Sequence, residues 1–487
     1  MLSILLSRAR AYEDERMPAV LPSHLPHFHV TGGVGWINDP NGFSLYKGEY
    51  HLFYQYNPYS THWDTMHWGH VKTHDFIRWE RLPCALAPDK SYDKDGCFSG
   101  SAVELRDGRH LLMYTGVGKT DDGHEFQTQC LAFGDGVNYE KFDGNPVITA
   151  ELLPPGGSEV HFRDPKITMT EDGFRVVAGN LTSDGSGAVL MFESDDAIHW
   201  RFVSELAASE NRFGRMWECP DFFRLDGKDV LIVSPQEVHT RDPEFIDGNT
   251  TLCLIGSLGP DDRLIPDTEH TIDCGLDFYA PQTVLTADGR RVMIAWMQYW
   301  NSVEIRPREE LPFYGQMTLP RELNVLNGRL IQNPVKELDS YRGALTSYSD
   351  VSVRERMQLD GVGGRCTDLT VKVRGEQYRS FTVRAAEGGD HVTEIRYDPG
   401  TNIISVDRTH SGWPENVLNT REFAVRDRKG EIKLRFIIDR YSIELFVNDG
   451  EQAASFVIFS PDPADGISFE ADGEAVIDIE HYTLDIK

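Results

Sequence analysis

Three carboxylic acids sit at matched places along this chain. Asp39, Asp164 and Glu218 each lie nine residues before the glycine of a tight turn, at Gly48, Gly173 and Gly227. Acids that recur at one position of a repeat converge if the repeat closes on itself. Convergent carboxyl groups suit cleavage of a glycosidic bond. One starts protonated and protonates the leaving oxygen, and the other starts ionised and attacks the anomeric carbon. Like-charge repulsion and burial separate the two protonation states. Glu218 lies in RMWECPDFF beside Trp217 and Cys219, an apolar setting suited to the proton donor. Asp39 lies in GWINDPNGF, a short side chain near rigid backbone, suited to a positioned nucleophile. Asp164 in FRDPK suits holding sugar hydroxyls and favouring an oxocarbenium-like state. Arg163 beside it can pair with a carboxylate or a hydroxyl.

The elements that must position these acids show as an internal repeat, the feature to seek before any other. Five segments begin at Asp39, Ser99, Asp164, Glu218 and Ala280. Each is a strand-like run, a glycine turn and a second apolar run, which is a hairpin signal. The turn glycines Gly48, Gly108, Gly173, Gly227 and Gly289 are 60, 65, 54 and 62 residues apart. A later element also recurs, HDFIRW, GDGVNY and DDAIHW, with aspartates at Asp75, Asp135 and Asp196. Five β-rich units of about 60 residues predict an all-β, five-bladed β-propeller over residues 25–329, with four strands per blade. Equivalent positions then face one another across a central axis.

The pattern changes after Arg321. Residues 330–344 are expected to form a linker with a helical turn, and 345–487 a C-terminal β-sandwich, from alternating runs such as KLRFIID and YSIELFV. Residues 1–24 are expected to be an N-terminal helical extension, its helix ending before Pro18. The apolar run there is too short for a signal-peptide core, and no stretch of about 20 apolar residues occurs. The seven cysteines are scattered, odd in number and without a CxxC pair. That pattern fits a reducing compartment, and the expected location is cytoplasmic. A net charge of −29, from 77 acidic and 48 basic residues, argues against nucleic acid and anionic membrane as partners. The close-set histidines His62, His67, His70 and His74 lack a dedicated acid ligand, and strand alternation splits them between faces, so no metal is expected. A homodimer through the sandwich remains open.

At WINDPNG the sequence resembles glycoside hydrolase family 32, the invertase, inulinase and levanase family. YHLFYQYNP, MHWGH, CFSGSAV, FRDPK, MWECPDFF and YSIELFVNDGE follow in the family's order through nearly the whole chain. The resemblance implies a five-bladed propeller with a C-terminal β-sandwich, and a retaining mechanism through a covalent fructosyl-enzyme without cofactor or metal. It implies Asp39 as nucleophile, Asp164 as transition-state stabiliser and Glu218 as acid/base. The sugar-binding positions it implies are Asn38, Gln55, Trp63, Phe98, Ser99, Arg163 and Tyr279. Sucrose, sucrose 6-phosphate and short fructo-oligosaccharides are the substrates expected of an intracellular member, with fructosyl transfer as the alternative reaction. An inverting arabinan- or xyloside-cleaving propeller and a non-catalytic sugar-binding propeller are the other readings. The WINDPNG and WECPD contexts oppose the first, and the presence of all three acids opposes the second. Asp64 departs from the family, where many relatives carry glycine. An acid there would disfavour a phosphorylated substrate if it faced the site.

Overall fold

A computed structural model describes residues 2–239, 244–426, 428 and 430–486. Five antiparallel blades of four strands succeed one another along the first two thirds of the chain, and the first also takes up a short fifth strand. Their first strands are Gly35–Tyr46, Gly96–Glu104, Phe162–Met169, Trp217–Leu225 and Tyr279–Leu285. Each adjoins the first strand of the next blade, and Tyr279–Leu285 adjoins Gly35–Tyr46, so the ring closes. Closure is reinforced by Phe313–Tyr314, which pairs in parallel with Gly35 and Trp36. The second strands are continuous apolar runs such as LLMYT and VLIV, buried on both faces between neighbouring blades.

The late repeat element has a plain physical origin. One carboxylate oxygen of Asp75 accepts from the N–H groups of Ile77 and Arg78, 2.9 Å each. Asp135 does the same for Val137 and Asn138, and Asp196 for Ile198 and His199. The residue after each aspartate, Phe76, Gly136 and Ala197, is left-handed at φ 64°, 96° and 66°. The short acid thus replaces the missing ladder partner at the bend before the outer strand. Trp79 and Trp200 then fold back, their indole N–H groups donating to the carbonyls of Phe76 and Ala197.

Bulges at the start of the first strands place the site. In blades three, four and five, Asp164-Pro165, Cys219-Pro220 and Ala280-Pro281 each stand opposite a single residue of the second strand. The first residue of each pair is left-handed, at φ 65°, 48° and 52°. Asn38-Asp39 bulges likewise in blade one, and Ser99 in blade two. This alignment corrects the count from the turn glycines. Cys219, not Glu218, and Asn38, not Asp39, are the equivalents of Asp164, and Glu218 matches Arg163 and Tyr279. The count slips because the hairpin loops differ in length, from 47–48 and 226–227 to 170–173 and 105–109.

The expected linker from residue 330 starts later than its composition suggested. Arg329–Pro334 is the outer strand of blade five, paired residue by residue with Arg321–Leu326. Alternate burial of Leu330, Gln332 and Pro334 explains the pairing. A short 3-10 helix, Lys336–Tyr341, follows, and the next strand begins at Arg342. The C-terminal domain wraps one core, with Leu369, Phe381, Ile404, Phe436, Leu445, Phe469 and Ile477 among its members. Its two layers are continuous through the long strands Thr367–Gly388 and Gly466–Leu484, which pair with each other. The first half of Thr367–Gly388 also pairs with Glu431–Asp439, and the second half with His391–Asp398.

At the N-terminus, helix Ile4–Arg16 lies against blade one, capped by the Ser3 hydroxyl. Glu13 reaches from it to accept from the Cys84 N–H at 3.0 Å. A buried chain of charges joins propeller to sandwich. Asp439 faces His29 at 2.7 Å, His29 faces Glu444 at 2.9 Å, Glu444 accepts from Arg321 at 2.6 Å, and Arg321 reaches Asp273 at 2.8 Å. All five side chains are solvent-inaccessible, so opposite signs must alternate for any of them to stay charged.

Candidate active site

The axial ends of blades one to five bring two groups of side chains together. The first centres on Asp39. Ser99 Oγ donates to its Oδ2 at 2.8 Å, and Asn38 Nδ2 to its Oδ1 at 3.1 Å. Asn38 is itself fixed by the Trp36 indole N–H, which donates to Asn38 Oδ1 at 2.7 Å. The second group centres on Glu218. Arg163 donates to Oε1 from Nε at 3.0 Å and Nη2 at 2.9 Å, and the Tyr279 hydroxyl donates to Oε2 at 2.6 Å. Because Arg163, Glu218 and Tyr279 occupy one register position of successive blades, their side chains emerge side by side.

Asp164 and Cys219 bridge the two groups. Asp164 Oδ2 accepts from the Cys219 N–H at 3.0 Å, and Arg163 Nε stands 4.0 Å from the same oxygen. The Cys219 thiol lies 3.6 Å from Asp39 Oδ2 and 3.7 Å from Asp164 Oδ2, within weak hydrogen-bond reach of both acids. Asp164 and Arg163 are nearly fully covered, while Asp39 and Glu218 are partly exposed.

Burial and then the negative charge of Glu218 push Asp39 up to about 6, against the hydrogen bonds from Ser99 and Asn38. Burial also raises Asp164, to about 7, with Arg163 opposing and both neighbouring acids adding to the rise. Burial works against the charge on Arg163, but Glu218 and Asp164 outweigh it and hold the guanidinium cationic. Burial, with the adjacent acids, lifts the Cys219 thiol and the Tyr279 phenol well above their usual ranges, so both stay protonated donors. Asp39 is therefore mostly ionised at neutral pH and takes up a proton as pH falls through about 6.

The remaining expected site residues lie in blade one, one of its loops and the start of blade two. Trp63 is 47% exposed on the rim and meets Phe98 edge to face at 6.1 Å. Gln55 is buried behind Phe98, its Nε2 donating to Cys97 O at 3.0 Å. Asp64 is exposed, and one of its oxygens accepts from the Thr65 N–H at 2.7 Å, capping its own loop. His67 and His70 are buried, whereas His62 and His74 are exposed. Among the described residues no group of three or more His, Cys, Asp or Glu is arranged to hold a metal.

Two contributors escaped the sequence reading. Trp300 stands edge-on to Tyr279 at 6.4 Å and packs on Trp296, and Gln127 Oε1 accepts from Arg163 Nη1 at 3.3 Å. Trp300 belongs to the long connection inside blade five, which carries no repeat signal.

Glycoside hydrolysis is the chemistry in which a donor acid and an ionised acid must face one bond, and this chain is a glycoside hydrolase built on a propeller. It belongs to glycosyl hydrolases family 32, whose N-terminal domain matches residues 29–334 and whose C-terminal domain matches residues 337–485. It is similar to the sucrose-6-phosphate hydrolase of Bacillus subtilis, 33% identical over 98% of each chain. The raffinose invertase of Escherichia coli is 34% identical over 93% of each chain. A mutant family 32 β-fructofuranosidase of Bombyx mori, solved in complex with sucrose, superposes with a TM-score of 0.85 at 33% identity over 99% of each chain.

Proposed function

We propose that this enzyme hydrolyses terminal β-D-fructofuranosyl bonds of sucrose, sucrose 6-phosphate or short fructo-oligosaccharides. The observation that carries the proposal is the pairing of Asp39, fixed by Ser99 and Asn38, with Glu218, fixed by Arg163 and Tyr279, on either side of the Cys219–Asp164 bridge. In the first step Glu218 gives its proton to the leaving oxygen while an Asp39 oxygen attacks C2 of fructose and the C2–O bond breaks. Asp164 accepts from fructose hydroxyls and favours the positive charge that develops on the ring. In the second step Glu218 takes a proton from water, the water oxygen attacks C2, and Asp39 leaves as carboxylate.

Tyr279 serves both states of Glu218. Its hydroxyl has one proton and two acceptors in reach, Glu218 Oε2 at 2.6 Å and Ser234 O at 3.0 Å. It donates to the carbonyl while Glu218 carries a proton and to the carboxylate once that proton has left. The seven cysteines are all free and six are buried, which supports a reducing, cytoplasmic setting.

Measuring kcat/KM for sucrose, sucrose 6-phosphate and 1-kestose, with product analysis, tests the substrate range and any transfer to sugar acceptors. Absence of fructose release from all three would overturn the proposal.

A further inference from the structure

Blade-to-blade register brings a hydroxyl up against the strained peptide of Asp164. Thr115 in blade two, Gly179 in blade three and Ser234 in blade four each stand opposite the residue just before the bulge, at Phe98, Arg163 and Glu218. The hydroxyls cap the bulge of the following blade. Asp164 N–H donates to Thr115 Oγ at 2.9 Å, and Ala280 N–H to Ser234 Oγ at 3.1 Å. Blade three breaks the rule. Gly179 has no side chain, and a Cβ there would come within 2.2 Å of the Trp217 carbonyl oxygen. The Cys219 N–H is left without a hydroxyl and donates to Asp164 Oδ2 instead.

We propose that Thr115 is a positioning residue of the reaction, one jaw of a clamp on Asp164 whose other jaw is the Cys219 N–H that Gly179 leaves free. Thr115 is solvent-inaccessible. Its single proton goes to Gln129 Oε1 at 2.9 Å or Ser99 O at 3.2 Å, which leaves a lone pair aimed at Asp164 N–H. Gln129 is locked in turn by donating to Phe162 O at 2.8 Å, two residues before Asp164. Asp164 is held in a left-handed conformation at φ 65°, unfavourable for a residue with a Cβ, so both jaws are needed to aim the carboxylate. Thr115 also sits behind Ser99, the donor to Asp39, and so ties the aim of one aspartate to the seat of the other.

The inference rests on the assignment of Asp164 to fructose binding, and the test separates the two. Thr115→Val keeps shape and removes the acceptor, and Thr115→Ser restores it. The expected result is a fall of at least tenfold in kcat/KM for sucrose in Thr115→Val, carried by both a raised KM and a lowered kcat. Thr115→Ser should stay within threefold of the parent, with both variants folded by circular dichroism. Should the valine variant fail to fold, Thr115→Ala carries the same comparison. A folded valine or alanine variant within threefold of the parent, or a serine variant as impaired as valine, overturns the clamp. If Asp164→Asn keeps full activity, the assignment of Asp164 fails. If Asp164→Asn is impaired and Thr115→Val is not, only the clamp fails.

Discussion

Replacing Arg163 by methionine should move the acid side of the pH profile as well as lower the rate. Arg163 is the cation between two acids, 2.9 Å from Glu218 and 4.0 Å from Asp164. At 4.0 Å and an effective dielectric of about 20, unit charges attract by about 4 kcal/mol, equal to roughly three pH units on the carboxylate. Water entering the vacated space recovers part of this, and a rise of at least about one unit should survive. In the parent enzyme the carboxylates that must be ionised stand near 6 for Asp39 and 7 for Asp164, so kcat/KM should fall on acidification through that window. Raising Asp164 moves the falling limb to higher pH. Loss of two donors to Glu218 should also cost roughly a hundredfold in the pH-independent rate. Initial rates on sucrose from pH 4 to 9, fitted for kcat/KM, read both effects. A variant whose acid limb coincides with the parent's would refute the electrostatic role of Arg163.

Other consequences follow from the same geometry. His29 is held at about 9 because, although burial opposes its charge, Asp439 and Glu444 outweigh burial. A folded pKa above the unfolded value of about 6.5 means that its stabilisation is complete below that value and is lost as pH rises through about 9. The parent's Tm should therefore drop between pH 7 and 9.5, and His29→Gln should melt lower at pH 6 with a flatter profile; parallel profiles would count against this. Arg321→Met leaves buried carboxylates uncompensated at about 3–5 kcal/mol, so Tm should fall by roughly 5 °C or more with kcat at 25 °C little changed. A shift under about 2 °C would contradict the charge chain. Trp63→Ala removes an exposed ring at the rim and should raise KM for sucrose by up to about tenfold with kcat nearly kept. A kcat loss without a KM change would place Trp63 elsewhere in the mechanism.

Much of this was legible in the sequence because local chemistry wrote it there. Aspartates that cap a bend, glycines at hairpin turns and prolines at a bulge recur from blade to blade, and each has a backbone reason. The same reasoning mis-registers Asp39 and Glu218 by one residue each, since glycine counting is blind to loop length and to bulges. That slip mattered: it hid why Arg163, Glu218 and Tyr279 touch, which is that they share one register position. Residues 330–334 of the outer strand read as linker because the alternation is short and ends in proline. Thr115 and Gln129 gave no signal at all. A buried hydroxyl and amide look like any other polar residue of a strand until the facing blade is in place.

The central claim is that Asp39 carries the fructosyl group during turnover. With Glu218→Gln and a substrate whose leaving group needs no proton, such as β-fructosyl fluoride, the first step proceeds and the second, deprived of its base, stalls. Quenched samples analysed by peptide mass spectrometry should then carry one fructosyl group on the peptide containing Asp39. No adduct, or an adduct on another residue, would contradict the account.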